Sequence, residues 1–175
     1  AASWDCFNRT NCNCRWAEPW RPERSASAMK TFITHSPQET EELAGKLAAL
    51  LSPGDIIAYE GGMGMGKTAF TRGLCRGLGI AADVSSPTFS LVNEYRGENA
   101  TLYHFDMFRV ESFSDLYSTG FFDYLDYGGI LAIEWSENIA GTLPEGCIQV
   151  SLERVDDTTR KITIKGDERL EAALA

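Results

Sequence analysis

From residue 29 onward, apolar residues fall into short runs separated by glycine, proline and aspartate, and the period of each run predicts an element. Residues 30–33 read as a short strand. Ser36-Pro37-Gln38-Glu39 carries a helix-start signature, with serine as N-cap, proline at the first helical position and glutamate at the third. Leu43, Leu47, Leu50 and Leu51 then recur on one helical face, and Ser52-Pro53-Gly54-Asp55 ends that helix in a turn. Residues 56–60 form a mostly apolar strand that runs into a glycine-rich stretch. Residues 68–78 form a helix that stops at Gly79. Two β-prone runs, 90–95 and 101–105, flank a hairpin turn at 96–100. A weak helical pattern covers 111–118 and an apolar strand 129–134. Residues 147–153 and 160–165 make a last strand pair joined through Asp156-Asp157, and a short helix is expected after Gly166. Helical and strand patterns interleaved in this way predict an α/β fold.

Residues 1–28 follow neither period. They hold Trp4, Trp16 and Trp20 and three of the five cysteines, and Pro19 and Pro22 punctuate them. Two readings stand side by side. Cys6, Cys12 and Cys14 are candidate metal ligands, but the paired Cys-x-x-Cys spacing is absent and a fourth ligand is needed. The plainer reading is an irregular extension outside the fold: a leader, a targeting segment, or sequence ahead of a start at Met29. The expected organisation is therefore an extension (1–28), one domain (29–166) and a tail (167–175).

Composition narrows the function. A chain of 175 residues with 43 % apolar content buries an ordinary core as one domain. The net charge of −9 repels polyanions, so extensive direct nucleic-acid binding is not expected. No apolar stretch reaches the roughly 18–20 residues of a membrane span. The N-terminus has no apolar core of a secretory signal. Five cysteines, unevenly placed, do not make a disulfide framework; reduced thiols in a cytoplasmic protein are expected.

The chemistry concentrates in the glycine-rich stretch. Gly61, Gly66, Lys67 and Thr68 fit G-x-x-x-x-G-K-[ST] between a strand and a helix. Phosphate oxygens need several backbone N–H groups converging on them, and Gly61, Gly62, Gly64 and Gly66 keep side chains out of the way. The helix that follows adds the positive end of its dipole. Residues Gly61, Gly62, Met63, Gly64, Met65, Gly66, Lys67, Thr68 and Ala69 are the expected ATP-binding segment. Lys67 reaches the β- and γ-phosphates and the Thr68 hydroxyl ligates Mg²⁺. The metal needs acidic company, and Asp106 and Glu134 each end an apolar strand at the edge where such loops open. A solvated strand terminus is the plain alternative for either. His104 reads as a packed or hydrogen-bonded strand residue rather than a base.

Together these blocks resemble the bacterial TsaE family, also called YjeE. The resemblance is carried by Gly-Gly-Met-Gly-Met-Gly-Lys-Thr (61–68), Ser-Pro-Thr-Phe (86–89), Tyr-His-Phe-Asp-Met-Phe-Arg (103–109) and Ile-Glu-Trp (133–135), with Asn93-Glu94-Tyr95 and Gly120 also in place. It covers about half the chain strongly. It implies a P-loop NTPase-like three-layer fold with a mixed, mainly parallel central sheet. It further implies a small Mg²⁺-dependent ATPase acting in threonylcarbamoyladenosine formation on tRNA with TsaD-like and TsaB-like partners. Under it, Lys67 and Thr68 hold phosphate and metal, and Thr88 is a switch element sensing the γ-phosphate. Asp106 and Glu134 serve metal and attacking water, with the direct metal ligand left open between them. Trp135 lies beside the nucleotide, and Arg109 neutralises phosphate charge or pairs with a surface acid. One departure is Gly62, where the family often carries an acid.

Two other functions fit a phosphate loop: a small-molecule kinase and a nucleotide-dependent adaptor that does not hydrolyse. A kinase needs an arginine-bearing lid, and the segment between Leu78 and Glu134 is short for one. No guanine-selecting Asn/Thr-Lys-x-Asp block is present, which favours ATP.

Overall fold

The computed structural model describes residues 28–167 and Arg169. The cysteine cluster at 6–14 lies outside the described residues, as does the tail helix apart from Arg169.

Seven strands form one sheet: β1 (Ala28–Thr34), β2 (Ile56–Glu60), β3 (Val92–Arg96), β4 (Thr101–Asp106), β5 (Ile130–Glu134), β6 (Ile148–Arg154) and β7 (Arg160–Gly166), in the order β1-β7-β6-β2-β5-β4-β3. β6, β2, β5 and β4 pair in parallel, whereas β7 pairs antiparallel with both β6 and β1, and β3 antiparallel with β4. Only β7 and β3 therefore run against the common direction, giving the mixed, mainly parallel sheet expected. The central strands β2 and β5 are apolar almost throughout because both faces are covered.

One face carries α1 (Pro37–Ala48) and α2 (Lys67–Gly77), packed on Ile57, Tyr59, Leu102 and Ala132. Ser36 caps α1 by accepting from the Glu39 N–H, as the sequence predicts. The two helices approach closely because Gly73 and Gly77 face α1; a Cβ on Gly73 would stand 2.2 Å from the Glu41 carbonyl oxygen. Glu41 is held by Arg72 at 3.0 Å and Arg76 at 2.9 Å across the same contact. α1 ends before Leu50 and Leu51, which pack beside the core from the following turn.

The other face carries α3 (Phe113–Ser118), α4 (Phe121–Asp126) and a 3-10 segment (Ser136–Thr142) over Ile56, Leu131, Ile133, Tyr103 and Phe105. The hydrophobic pattern does not predict α4 or the 3-10 segment. Phe121 is the buried anchor of α4, and it meets Phe105 edge-on at 5.4 Å. β3 starts two residues later than its β-prone run because Leu91 takes φ 66°, after which the strand begins at Val92. In the stretch read as a tail, the Arg169 guanidinium donates to both Asp55 carboxylate oxygens at 3.1 Å. No helix among the described residues is long and apolar enough to cross a membrane.

Candidate phosphate and metal site

β2, β4 and β5 run parallel, so their C-terminal ends lie along one edge of the sheet, the position at which parallel α/β sheets bind ligands in a crevice. β2 ends at Glu60 and the chain turns through residues 61–66 into α2. Gly61 makes that turn at φ 135°, so close to β6 that a Cβ would stand 2.4 Å from the Leu152 carbonyl oxygen. Gly64 and Gly66 also take positive φ, and α2 starts from Gly66 with no side-chain cap. Among the described residues, none accepts a hydrogen bond from the backbone N–H groups of residues 62–66. A bare turn of this kind at a helix N-terminus fits a polyphosphate. Met63 points into solvent, while Met65 packs on the core.

Lys67 is buried, and its ammonium donates to the carbonyls of Gly61 at 2.6 Å and Gly62 at 2.8 Å, closing the loop on itself. Its Nζ lies 4.2 Å from the centroid of the Trp135 ring. Desolvation lowers the Lys67 pKa, opposed by the nearby charges of Glu134, Glu137 and Asp106. A buried cation facing acids and uncommitted N–H groups is arranged for an anion.

Thr68 opens the first turn of α2, and its hydroxyl donates to Glu134 Oε1 at 2.9 Å. Asp106 and Glu134 are Cα partners in the β4–β5 register, so both strand-end carboxylates belong to one site. Asp106 accepts from the Thr88 hydroxyl at 2.7 Å and from the Phe108 N–H at 2.9 Å. Thr88 in turn bonds Ser86 at 2.8 Å. Oxygen donors of this kind suit Mg²⁺. Among the described residues there is no cluster of three or more metal-binding His, Cys, Asp or Glu side chains.

Lys67, Thr68, Asp106, Glu134, Thr88 and Trp135 thus converge, and Ala69 lies within the first turn of α2. Arg109 is turned elsewhere: its guanidinium sits over the exposed Phe89 ring at 5.4 Å and pairs with no surface acid among the described residues. Two features escape sequence reading, and His104, buried and hydrogen-bonded as the sequence suggests, has a partner that the sequence does not give. Trp135 takes φ 58°, which throws its ring back over Lys67 and against Phe108 at 5.0 Å. Ser136 donates to the buried Tyr59 carbonyl at 2.9 Å and pins the turn after β5. His104 donates from Nε2 to Glu134 Oε1 at 2.9 Å, while its buried Nδ1 has no partner. Only the position of His104 two residues before Asp106, on the same strand face, could have hinted at that contact.

A parallel α/β sheet with this loop between β2 and α2, and acids ending the adjacent strands, is a P-loop NTPase fold. The family model for "Threonylcarbamoyl adenosine biosynthesis protein TsaE" matches residues 34–162. Similar curated proteins include the "tRNA threonylcarbamoyladenosine biosynthesis protein TsaE" of Bacillus subtilis, 39 % identical over 130 residues, covering 74 % of this chain and 81 % of the relative. The protein of the same name from Treponema pallidum is 36 % identical over 132 residues, 75 % of this chain and 97 % of the relative. Among solved structures, Bacillus subtilis YdiB superposes with a TM-score of 0.71 at 32 % identity, covering 85 % of this chain and 93 % of that one. The chain belongs to the TsaE family.

Proposed function

We propose that this protein is a Mg²⁺-dependent ATPase that serves threonylcarbamoyl modification of tRNA adenosine, working with TsaD-like and TsaB-like proteins. The observation that carries the ATPase reading is the Thr68–Glu134 hydrogen bond beside the Lys67 clamp, with Asp106 in register on the next strand. The pathway is that for which the relatives are named, and the acidic charge of −9 favours reaching tRNA through partners rather than directly.

The roles proposed here are supported by the geometry of the site. The N–H groups of the loop and the α2 N-terminus bind phosphate oxygens, and Lys67 leaves the Gly61 and Gly62 carbonyls to meet the β- and γ-phosphates. Thr68, Glu134 and Asp106 would hold Mg²⁺, which when bound neutralises phosphate charge. Glu134 and Asp106 also orient and polarise the attacking water, and Thr88 reports the γ-phosphate through its bond to Asp106. Catalysis is then positioning and charge stabilisation. Trp135 shields Lys67 from solvent.

Among the described residues no arginine bonds Lys67, Thr68, Asp106, Glu134 or Thr88: Arg160 meets the Gly64 carbonyl and Arg109 lies over Phe89, so hydrolysis by the isolated chain is expected to be slow and to accelerate with partners. The test follows labelled γ-phosphate with and without TsaD-like and TsaB-like proteins. Label on water, faster with partners and lost in Glu134→Ala with ATP binding retained, supports the reading. Label on an added metabolite, or a rapid rate that partners leave unchanged, overturns it.

A further inference from the structure

We infer that His104 is a positioning residue for Glu134, fixing which carboxylate oxygen is free to act in the crevice; this rests on the ATPase reading above. His104 lies in the middle of β4 and is fully buried. Its Cα partner on β5 is Ala132, and Glu134, two residues further along β5, faces the same side of the sheet. There Nε2 meets Oε1 at 2.9 Å, the same oxygen that accepts from Thr68 at 2.9 Å. Two donors, one from the core and one from the first turn of α2, therefore saturate Oε1. Among the described residues none donates to Oε2. The carboxylate is held from one side and presents its other oxygen.

A side chain serving only to fill the core would not be an imidazole here. A carboxylate oxygen only accepts, so Nε2 must carry the proton. The other ring nitrogen, Nδ1, is then left buried with no partner. An isosteric apolar residue would avoid that unsatisfied atom, so packing alone disfavours histidine at this position. What the ring provides is the N–H on Glu134, the orienting device that metal and catalytic sites place behind their ligands.

The chain has two histidines, His35 and His104, so long-range ¹⁵N–¹H spectra of the full-length protein resolve the His104 tautomer directly. A proton on Nε2 is expected, and a ring protonated at Nδ1 alone overturns the inference. The functional arm compares His104→Leu and His104→Gln, the glutamine amide restoring a donor near Nε2. His104→Leu is expected to keep its ATP dissociation constant and melting temperature while kcat falls roughly 10- to 100-fold. His104→Gln is expected to recover most of that loss. Wild-type kcat in His104→Leu overturns the inference, as does an equal loss in both variants that tracks a fall in melting temperature. Failure of the ATPase reading is distinct: the wild-type chain itself then hydrolyses nothing with its partners, while the tautomer still decides the orientation of Glu134.

Discussion

The two sides of the crevice are built differently. On one side Lys67, Glu134 and His104 are buried, and Lys67, Thr68 and His104 each donate to an atom of the loop or of Glu134. On the other, Thr88 and Phe89 stand on an irregular segment before β3, and the Phe89 ring is 90 % exposed with Arg109 laid over it. Asp106 joins the two, paired in register with Glu134 and bonded to Thr88. The first side has met its desolvation cost within the fold and is set before any ligand arrives. The second keeps its shape through the short Ser86–Thr88–Asp106 chain of hydrogen bonds, which a competing ligand can redirect. Binding should therefore reside in the buried side, and response to ligand or partner in the exposed one.

The largest effect that tests this division is Lys67→Ala. Removing the one ammonium in the loop should cut ATP affinity or turnover by roughly 10²–10³-fold, the scale of losing a preorganised charge partner. Stability should move in the other direction or not at all, because burial already opposes the Lys67 charge. Calorimetric titration with ATP and a urea melt on the same variant separate the two. An unfolded Lys67→Ala would mean that the loop depends on its lysine for structure, and the buried side would not be a preset binding surface.

The same division explains what the sequence disclosed. The phosphate loop was legible because its glycines and its Lys-Thr pair are a local pattern with a local purpose. Asp106 and Glu134 were legible because strand ends can be read from hydropathy. Their adjacency was not, since it depends on β4 pairing with β5 in parallel, across a long segment. Strand order was hidden for that reason: β2 lies between β5 and β6, neither of them its neighbour in the chain. Leu91 and Trp135 adopt left-handed backbone that only tertiary packing makes tolerable for such residues, so no propensity signals them. α4 was missed because Phe121-Phe122-Asp123-Tyr124-Leu125-Asp126 is too short to show a helical period and draws its stability from the Phe121 anchor.

A smaller effect is expected on the exposed side. Thr88→Val keeps the shape of the side chain and removes the hydroxyl that Asp106 and Ser86 share. Because the segment is partly solvated, stability should fall by about 1 kcal/mol or less. ATP affinity should hold, since Thr88 touches no atom of the phosphate loop, whereas partner-stimulated hydrolysis should drop. Parallel measurement of affinity and stimulated rate decides the matter. Loss of affinity in Thr88→Val would erase the proposed separation between a binding side and a responding side.

The smallest effect concerns the buttress of the buried side. The β6–β7 hairpin leans on the phosphate loop, with the Leu152 carbonyl against Gly61 and Arg160 donating to the Gly64 carbonyl at 3.5 Å. Asp156 organises the hairpin turn by accepting from the N–H groups of Thr158 at 2.9 Å and Thr159 at 2.7 Å. These bonds hold its carboxyl at about 2, down from 3.8. A depressed acid stabilises the fold above the unfolded value and ceases to do so as pH falls through the folded one. The Asp156 contribution should thus be complete above about pH 4 and vanish towards pH 2. Melting temperatures of the wild type and Asp156→Asn should differ slightly at neutral pH and converge across that window. A gap that stays constant down to pH 2 would show that the turn is held by its backbone alone, and that the charge of Asp156 does nothing for the loop it supports.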